Sequence, residues 1–391
     1  MSKSADDSLP KDEETDEPPY SEETFEDKDD DADGGESRPE LQIPLRERKL
    51  VTQPFDFIVS SIEQQIKDGS LVLQDHFQRR RVWDDTKASR LIESLLLNVP
   101  IPVCYFAESE DGAYSVIDGQ QRLTSIYRYL TNQFSLRGLR VRPEINRKRF
   151  VELDPSDQRL IRTRTIRCIA LQKESNPDIR FDVFERLNSG SVKLTAQELR
   201  NSTYRGRLNA LIRELCEDKL FQKLRGASGL DKRMRDAELI LRFFAFHYAP
   251  SAYKGYFAPF LDNYLASGIR MSDVDIERHR TLFLETIQKV EDVFGDKAFR
   301  RFDKNGNAEN QINRAIYDVI MLTFARIDKG ALEGSKSELV RTFCEMCNND
   351  KVFFDAIIQA TRDKTRINNR LAQWIYNLRQ LGIHCPDIVF G

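Results

Sequence analysis

Hydrophobic positions change their spacing along this chain near residue 177. Before that point the apolar segments are short, and two of them, 101–107 and 113–117, flank a polar turn, which predicts a hairpin-like pair of strands. The segment 165–171 predicts another strand, and residues 87–97 have apolar positions at helical spacing. This mixture of strand and helix patterns predicts an α/β module in the N-terminal part of the chain.

From Pro177 onward the apolar positions are almost all at helical spacing. Residues 178–187 form one such segment, and Thr195 with Glu198 forms a capping-box pattern that starts the next helix. Further helices are predicted over residues 205–222, 233–248, 273–294, 309–327, 335–348, 351–362 and 366–380. The predicted fold class is therefore α+β, a module with a small mixed sheet followed by a mostly α-helical domain.

Two segments near the start of the module have less regular patterns. Residues 54–62 lead into a short predicted helix, with Ile58, Ile62 and Ile66 on one face. Residues 71–83 predict a strand that ends in a basic loop with aromatic residues.

Charge divides the chain in another way. Residues 1–40 contain 17 Asp and Glu and four Lys and Arg residues, a net charge of −13, whereas residues 41–391 carry +10. The acidic segment cannot bury enough apolar area to offset its ordering entropy, so we expect disorder. A solubilising tail explains it, and mimicry of nucleic acid that shields the basic body is the alternative. We predict an acidic tail over 1–48, a module over 49–204 and a helical domain over 205–391.

The sequence suggests a cytoplasmic protein without a membrane segment. It has no apolar N-terminal leader and no apolar run near the roughly 20 residues that a bilayer requires. Six scattered cysteines predict reduced thiols. A zinc site from Cys344, Cys347, His384 and Cys385 is the alternative, although helical spacing around Cys344 favours packing in the core.

The segment 114–124 joins a strand pattern to a helix pattern through the sequence Asp-Gly-Gln-Gln-Arg at residues 118–122. Gly119 permits a tight turn, and the residues after it lie on the first turn of a helix, which favours anions. Arg122 adds a fork of donors, and Asp118 can hold a metal ion or orient water. The alternative is a strand–turn–helix joint in which Asp118 caps the helix and Arg122 is solvated.

Two other segments have residues that suit an anion. Residues 77–83 place three consecutive arginines between Phe77 and Trp83, and their alternative is a basic surface loop anchored by a buried tryptophan. Residues 184–190 end in Asn-Ser-Gly from Asn188, where backbone amides can face a ligand, and their alternative is an ordinary helix end.

The ordered succession of these motifs resembles the domain of unknown function 262 family, the GmrSD-type N-terminal domain, which is similar to the ParB/sulfiredoxin fold. The motifs that carry the resemblance lie at residues 77–83, 92–97, 100–102, 116–125, 184–190 and 194–201. They extend over roughly residues 50–205, and their order makes the resemblance far more specific than any one motif. Residues 233–243 look like the helical continuation often found behind this module.

The resemblance implies a nucleotide-phosphate site in an NTP-hydrolysing or NTP-sensing module of restriction and phage defence, with NTP and Mg²⁺ as cofactors. The implied catalytic residues are Asp118, Gln121 and Arg122, with Asp118 also the implied metal ligand. The implied nucleotide-binding residues are Gln78, Arg79, Trp83, Gly119, Gln120, Arg186 and Asn188. Arginines would neutralise charge on the phosphates, a glutamine would orient water, and Asp118 would bind magnesium or act as a base.

Many members of the resembled family carry a C-terminal HNH nuclease, which needs clustered histidines. The four histidines of this chain are widely separated, at positions 76, 247, 279 and 384. We therefore expect any DNA cutting to come from a partner nuclease. Two alternatives stay open: a non-enzymatic ParB-like DNA-binding module, favoured by the basic body and by residues 79–81, and a metal-dependent DNA nuclease, disfavoured by the absence of a paired-carboxylate or histidine constellation.

Overall fold

A computed structural model describes residues 48–73, 83–109, 112–187, 195–231 and 233–390. Its strands are β1 (Thr52–Ile58), β2 (Leu71–Val72), β3 (Cys104–Glu108), β4 (Tyr114–Asp118) and β5 (Thr165–Leu171). The helices interspersed with or directly following these strands are α1 (Val59–Lys67), α2 (Asp85–Leu96), α3 (Gln120–Leu130), α4 (Pro155–Thr163), α5 (Pro177–Leu187) and α6 (Ala196–Thr203). The helices described after residue 203 are α7 (Arg207–Cys216), α8 (Lys219–Arg225), α9 (Arg235–Tyr248), α10 (Phe257–Ser267), α11 (Asp273–Phe294), α12 (Arg314–Phe324), α13 (Lys329–Glu333), α14 (Lys336–Asn349), α15 (Lys351–Ile358) and α16 (Lys364–Gln380).

The strands form one mixed sheet in the order β1-β5-β3-β4-β2. β1 pairs antiparallel with β5, and β3 pairs parallel with β5. β3 and β4 form the antiparallel pair that the polar turn predicted, and β2 pairs parallel with β4. The fold class is α+β, as the sequence predicted.

The middle strands β3 and β4 are covered on both faces, because their side chains alternate between two hydrophobic cores. Phe106 and Val116 lie in the smaller core with residues of α1 to α4. Ala107, Ile117 and Leu171 lie in the larger core, which continues through the helical region to the C-terminal residues. The carboxyl end of β4 therefore lies where a two-sided apolar environment gives way to the polar sequence Asp-Gly-Gln-Gln-Arg.

α5 and α6 connect the sheet to the helical region, since both contact β4. α6 begins with the predicted capping box: the Thr195 hydroxyl accepts from the Glu198 amide at 3.2 Å, and the Glu198 carboxylate accepts from the Thr195 amide at 2.6 Å. Farther along α6, the buried Arg200 donates to the Asp262 carboxylate of α10 at 2.7 Å. These contacts fix α6 between β4 and the helical region.

A buried ion-pair triad lies in the helical region. The Asp318 carboxylate on α12 accepts from Arg242 on α9 at 2.7 Å and from Arg370 on α16 at 2.9 Å. All three side chains are at most 1 % exposed. The triad joins three helices through one buried carboxylate.

Several predicted elements are confirmed within a few residues. The strand 165–171 and the helix 273–294 have the predicted bounds. The helix predicted over 205–222 is two helices, because Asp218 accepts from the amide of Phe221 and caps the start of α8. The strand predicted over 71–83 is described only at residues 71–72, and residues 74–82 lie outside the described ranges, as does the acidic segment up to residue 47.

The short helix predicted after residues 54–62 is present as α1, but the strand before it was not predicted and Ile58 was placed on the wrong element. These residues begin in strand β1, and α1 begins only at Val59. Ile58 is the residue that precedes α1 and is 45 % exposed, so it does not share a buried face with Ile62. β1 was missed because its pairing with β5 is a contact between distant segments that periodicity does not report.

The sequence also missed three helices, α4, α10 and the five-residue α13. α4 lies in a stretch that looked only polar and arginine-rich, and α10 is short and apolar, without a regular polar face. Within the described ranges, no helix has both the length and the apolar character that crossing a membrane requires.

Candidate functional site

The predicted strand–turn–helix at residues 118–122 is present. β4 ends at Asp118, Gly119 has φ +97°, and α3 begins at Gln120. A Cβ at residue 119 would lie 2.4 Å from Sγ of Cys104, far inside contact distance. Glycine is thus required twice, once for the left-handed backbone and once for the space that Cys104 occupies.

The first turn of α3 starts without a side-chain cap. Gly119 is the N-cap residue and makes no side-chain hydrogen bond, and no acidic residue lies in the first turn. Amide groups at the start of a helix lack intrahelical acceptors, and the helix dipole places partial positive charge there. The alternative in which the Asp118 side chain caps the helix is therefore wrong.

Asp118 and Arg122 form an ion pair across this turn. Nη2 of Arg122 donates to Oδ2 of Asp118 at 2.6 Å. Nη1 donates to the carbonyl oxygen of Pro102 and, at 3.4 Å, to that of Val103. The Arg122 side chain is 11 % exposed, so its guanidinium faces the protein, and the alternative of a solvated arginine is wrong.

Asp118 is more accessible than its partner, with 44 % of its side chain exposed. Its Oδ2 is engaged by Arg122, while the carboxyl group as a whole borders solvent at the carboxyl end of β4. Since Arg122 is itself fixed by carbonyl groups before β3, it holds Asp118 in one orientation beside the first turn of α3.

Gln121 connects this turn to the segment that contains the consecutive arginines. Its Oε1 accepts from the backbone amide of Trp83 at 2.9 Å. Trp83 packs against the smaller core, and Nζ of Lys87 lies 4.5 Å from its ring centroid. Gln120 is buried at 8 % exposure. Two of the motifs that the sequence grouped therefore meet through a direct hydrogen bond.

The other predicted site residues are not joined to this turn by the described contacts. Arg186 has a side chain 77 % exposed and pairs with Asp182 at 2.9 Å on its own helix. Gln78, Arg79 and Asn188 lie outside the described residues. Their placement beside the phosphate site therefore stays a prediction.

Sequence reasoning missed the role of Cys104. Cys104 and Cys168 lie opposite each other on β3 and β5, and both are fully buried. Hydrogen bonding to Cys168 lowers the pKa of the Cys104 thiol, and the charge of Arg122 acts in the same direction. The pKa of Cys168 is raised by the same hydrogen bond and by burial. The sequence does contain one sign of this role: Cys104 is a small residue in the strand segment that precedes the glycine turn.

The described cysteines are free thiols, as the sequence predicted. Within the described ranges, no group of three or more His, Cys, Asp or Glu side chains is arranged to hold a metal ion. This covers Cys344, Cys347, His384 and Cys385, so the zinc alternative is not what these residues form.

Comparison with known proteins gives one result at the level of a domain. No curated protein matches the chain. The N-terminal module is matched by one family model, and its match includes the site described above as well as both helices, α5 and α6, that contact β4. Residues 58–205 match the model of the family described as GmrSD restriction endonuclease, N-terminal domain.

Proposed function

We propose that this module binds a nucleoside triphosphate at the first turn of α3 and hydrolyses or senses it as a switch in restriction-type defence. The observation that carries the proposal is the turn at Gly119, where a left-handed glycine presents an uncapped helix start at the end of β4. Such a start favours phosphate because its amides and its dipole both point at the ligand. The family of residues 58–205 supports the biological setting.

Asp118 is the residue that fits a magnesium ion. Magnesium in proteins commonly takes one or two carboxylates and completes its shell with water and substrate phosphates. A single carboxylate, half exposed and adjacent to the proposed phosphate site, matches that requirement. Bound there, the ion would neutralise charge on the phosphates. The chain's own contribution is a carboxylate that Arg122 holds in place.

Gln121 and Arg122 act in this proposal as positioning residues. Gln121 holds the backbone at Trp83, and Arg122 holds the carboxyl group of Asp118. The role predicted from the sequence, in which Arg122 neutralises charge on the phosphates, requires its guanidinium to exchange Asp118 for the ligand.

Nucleotide titrations with a matched control test the proposal. ATP, GTP, CTP and UTP are each titrated with Mg²⁺ against the wild-type chain, and turnover is followed as phosphate release. Asp118→Asn should weaken binding or turnover at least about tenfold, the effect expected for loss of a charge-stabilising group. Asp56→Asn is the control, since Asp56 pairs with Arg167 at 3.0 Å on the far edge of the same sheet and is also about half exposed.

The control removes the same charge from the same sheet, so it should leave nucleotide binding unchanged. Absence of binding by all four nucleotides, or equal loss in the two variants, would contradict the proposal. Gln121→Ala separates positioning from direct contact: we expect a raised KM with little change in kcat if Gln121 acts by anchoring Trp83.

We further infer that a partner protein supplies any DNA cutting. Two of the four histidines are packed in the helical region rather than exposed for catalysis: His279 is 5 % exposed and bonded to Tyr264, and burial lowers the pKa of His247 to about 4. Plasmid DNA incubated with the chain, a nucleotide and Mg²⁺ or Mn²⁺ should stay supercoiled. Nicking that Asp118→Asn abolishes would overturn this inference and revive the nuclease alternative.

A further inference from the structure

The loop after α3 is fixed against α2 by hydrogen bonds to its backbone. Oγ of Ser89 accepts from the amide of Arg137 at 2.8 Å, and Oε1 of Glu93 accepts from the amide of Arg142 at 2.9 Å. Since Ser89 and Glu93 are four residues apart on one helix face, they hold the loop 135–149 along α2. The backbone positions that carry the side chains of this loop are therefore fixed.

This loop carries an excess of positive charge. Residues 137–149 contain six Lys and Arg residues and one acidic residue, Glu144. Four of the arginines are exposed and are here called the basic face: Arg137, Arg140, Arg147 and Arg149.

Three of the four arginines of the basic face have no counter-ion on the described part of the chain. There, no carboxylate lies within 4.0 Å of the guanidinium groups of Arg140, Arg147 or Arg149, and Arg137 approaches Asp85 only at 3.9 Å. Arg142 in the same loop is different, because it pairs with both Glu144 and Asp157. The loop thus neutralises the arginine that packs inward and leaves the outward ones available.

An open cleft lies within this surface. It has a volume of about 630 Å³ and is lined by Arg137, Gly138, Asn146 and Arg147 among others. Its floor is fixed by the amide of Arg147, which donates to the carbonyl of Leu136 at 2.7 Å. The two arginines flank a space large enough for an extended polyanion.

We propose that the basic face is the docking surface for the acidic segment of the same chain, residues 1–40. That segment carries a net charge of −13, and its covalent connection keeps its local concentration high without any second molecule. A chain spans about 3.3–3.6 Å per residue when extended, so these residues can reach any face of the module. Each contact is weak and screened by salt, and the binding arises from many of them together.

The docked segment occupies the surface that a nucleic-acid backbone would otherwise contact. It therefore lowers the affinity of the chain for polyphosphates without blocking the turn at Gly119. This inference is independent of the proposed nucleotide function, since no residue of the basic face belongs to residues 118–122.

Carbodiimide cross-linking of the full chain tests the proposal. The reagent joins a lysine amine to a carboxylate with no spacer, so Arg140→Lys and Arg147→Lys each keep the charge and add a reactive amine. Mass spectrometry should find cross-links from both positions to carboxylates of residues 1–40. Arg341→Lys is the matched control, an exposed arginine of α14 with no ion pair within the described ranges, and it should give at least about threefold fewer cross-links.

Salt supplies the second readout, because the Debye length falls to about 3 Å near 1 M. Cross-links at the basic face should disappear at that salt concentration, and Arg137→Gln with Arg149→Gln should reduce them in the Arg140→Lys background. Equal yield at Arg341→Lys, or cross-links unchanged by salt, would overturn the proposal. A third outcome would also overturn it. If these cross-links are absent, and a duplex oligonucleotide protects the amines introduced at positions 140 and 147 from acetylation, the surface binds nucleic acid instead of the acidic segment.

Discussion

Two arginine–carboxylate assemblies in this molecule have the same chemistry and opposite surroundings. Asp118 and Arg122 lie at the end of the sheet, with 44 % and 11 % of their side chains exposed. Asp318, bonded to Arg242 and Arg370, is buried with both partners in the helical region. The comparison shows that burial, rather than the type of pair, decides what each assembly can do.

A partly exposed pair can exchange its partner for water, a metal ion or a phosphate at small cost, because solvent already screens it. A buried triad cannot, because each group that loses its partner stays desolvated. The sheet end is thus suited to binding and the triad to holding α9, α12 and α16 together. Each region also contains one of the two tryptophans, whose fluorescence can report its unfolding. Trp83 lies by the sheet, and Trp374 lies in the helical region.

The largest effect is expected for Asp318→Asn. This change leaves Arg370 without the carboxylate that it contacts and leaves Arg242 with Glu238 at 4.0 Å, and we expect the free energy of unfolding to fall by about 3–5 kcal/mol. Urea unfolding followed by Trp374 fluorescence in a Trp83→Phe background measures it. Asp118→Asn in the same background makes the same chemical change at the exposed pair and should cost less than about 1 kcal/mol. Equal losses of unfolding free energy at positions 318 and 118 would contradict the claim that burial makes the two assemblies different.

The helical region should also lose stability in mild acid. Burial lowers the pKa of His247 to about 4, so below pH 6.5 the unfolded chain binds a proton that the folded chain does not. Its contribution is complete above pH 6.5 and is lost as the pH falls toward 4. Between pH 7.5 and pH 5 we expect a loss of about 2 kcal/mol, measured by urea unfolding at each pH.

His247→Phe should flatten that pH profile. The pKa of His279 is lowered as well, chiefly by burial, so a smaller slope of the same sign should remain. An unchanged profile in His247→Phe would show that His247 is not desolvated as the structure has it.

At the sheet end, Gly119→Ala should cost about 1–3 kcal/mol. The left-handed backbone penalises any side chain, and the new methyl group would meet Sγ of Cys104. Trp83 fluorescence in a Trp374→Phe background reports this region, because Gln121 bonds the backbone of Trp83. Adding Cys104→Ala should recover part of the loss by opening space, while the backbone penalty remains. If the double variant is no more stable than Gly119→Ala, the contact with Sγ of Cys104 does not contribute to the loss of stability.

The same contrast explains how far the sequence could predict the site. Apolar residues before Asp118 and helical spacing after Gly119 report local structure, and the strand, turn and helix are where they were predicted. The orientation of Arg122 was not predictable, because its acceptors include the carbonyl groups of Pro102 and Val103. Backbone acceptors carry no residue-type signal.

The sequence contains one sign of the buried triad that the spacing of hydrophobic residues does not reveal. Asp318 is the lone acidic residue in the apolar helix α12, and its two arginines come from segments that are far apart in sequence. A carboxylate in such a helix indicates a buried partner, although the sequence does not say which arginines supply it. The fold class could thus be predicted from local patterns, whereas pairings between distant segments, including β1 with β5, could not.

The contact between Gly119 and Cys104 has a consequence for comparing sequences. Positions 104 and 119 occupy one volume, and neither can enlarge unless the other yields. When other chains are searched for the same turn, a glycine after the aspartate is therefore only half of the criterion. A small residue at the facing position of the neighbouring strand is the other half, and a chain that has the motif but a bulky residue there is expected to form a different turn.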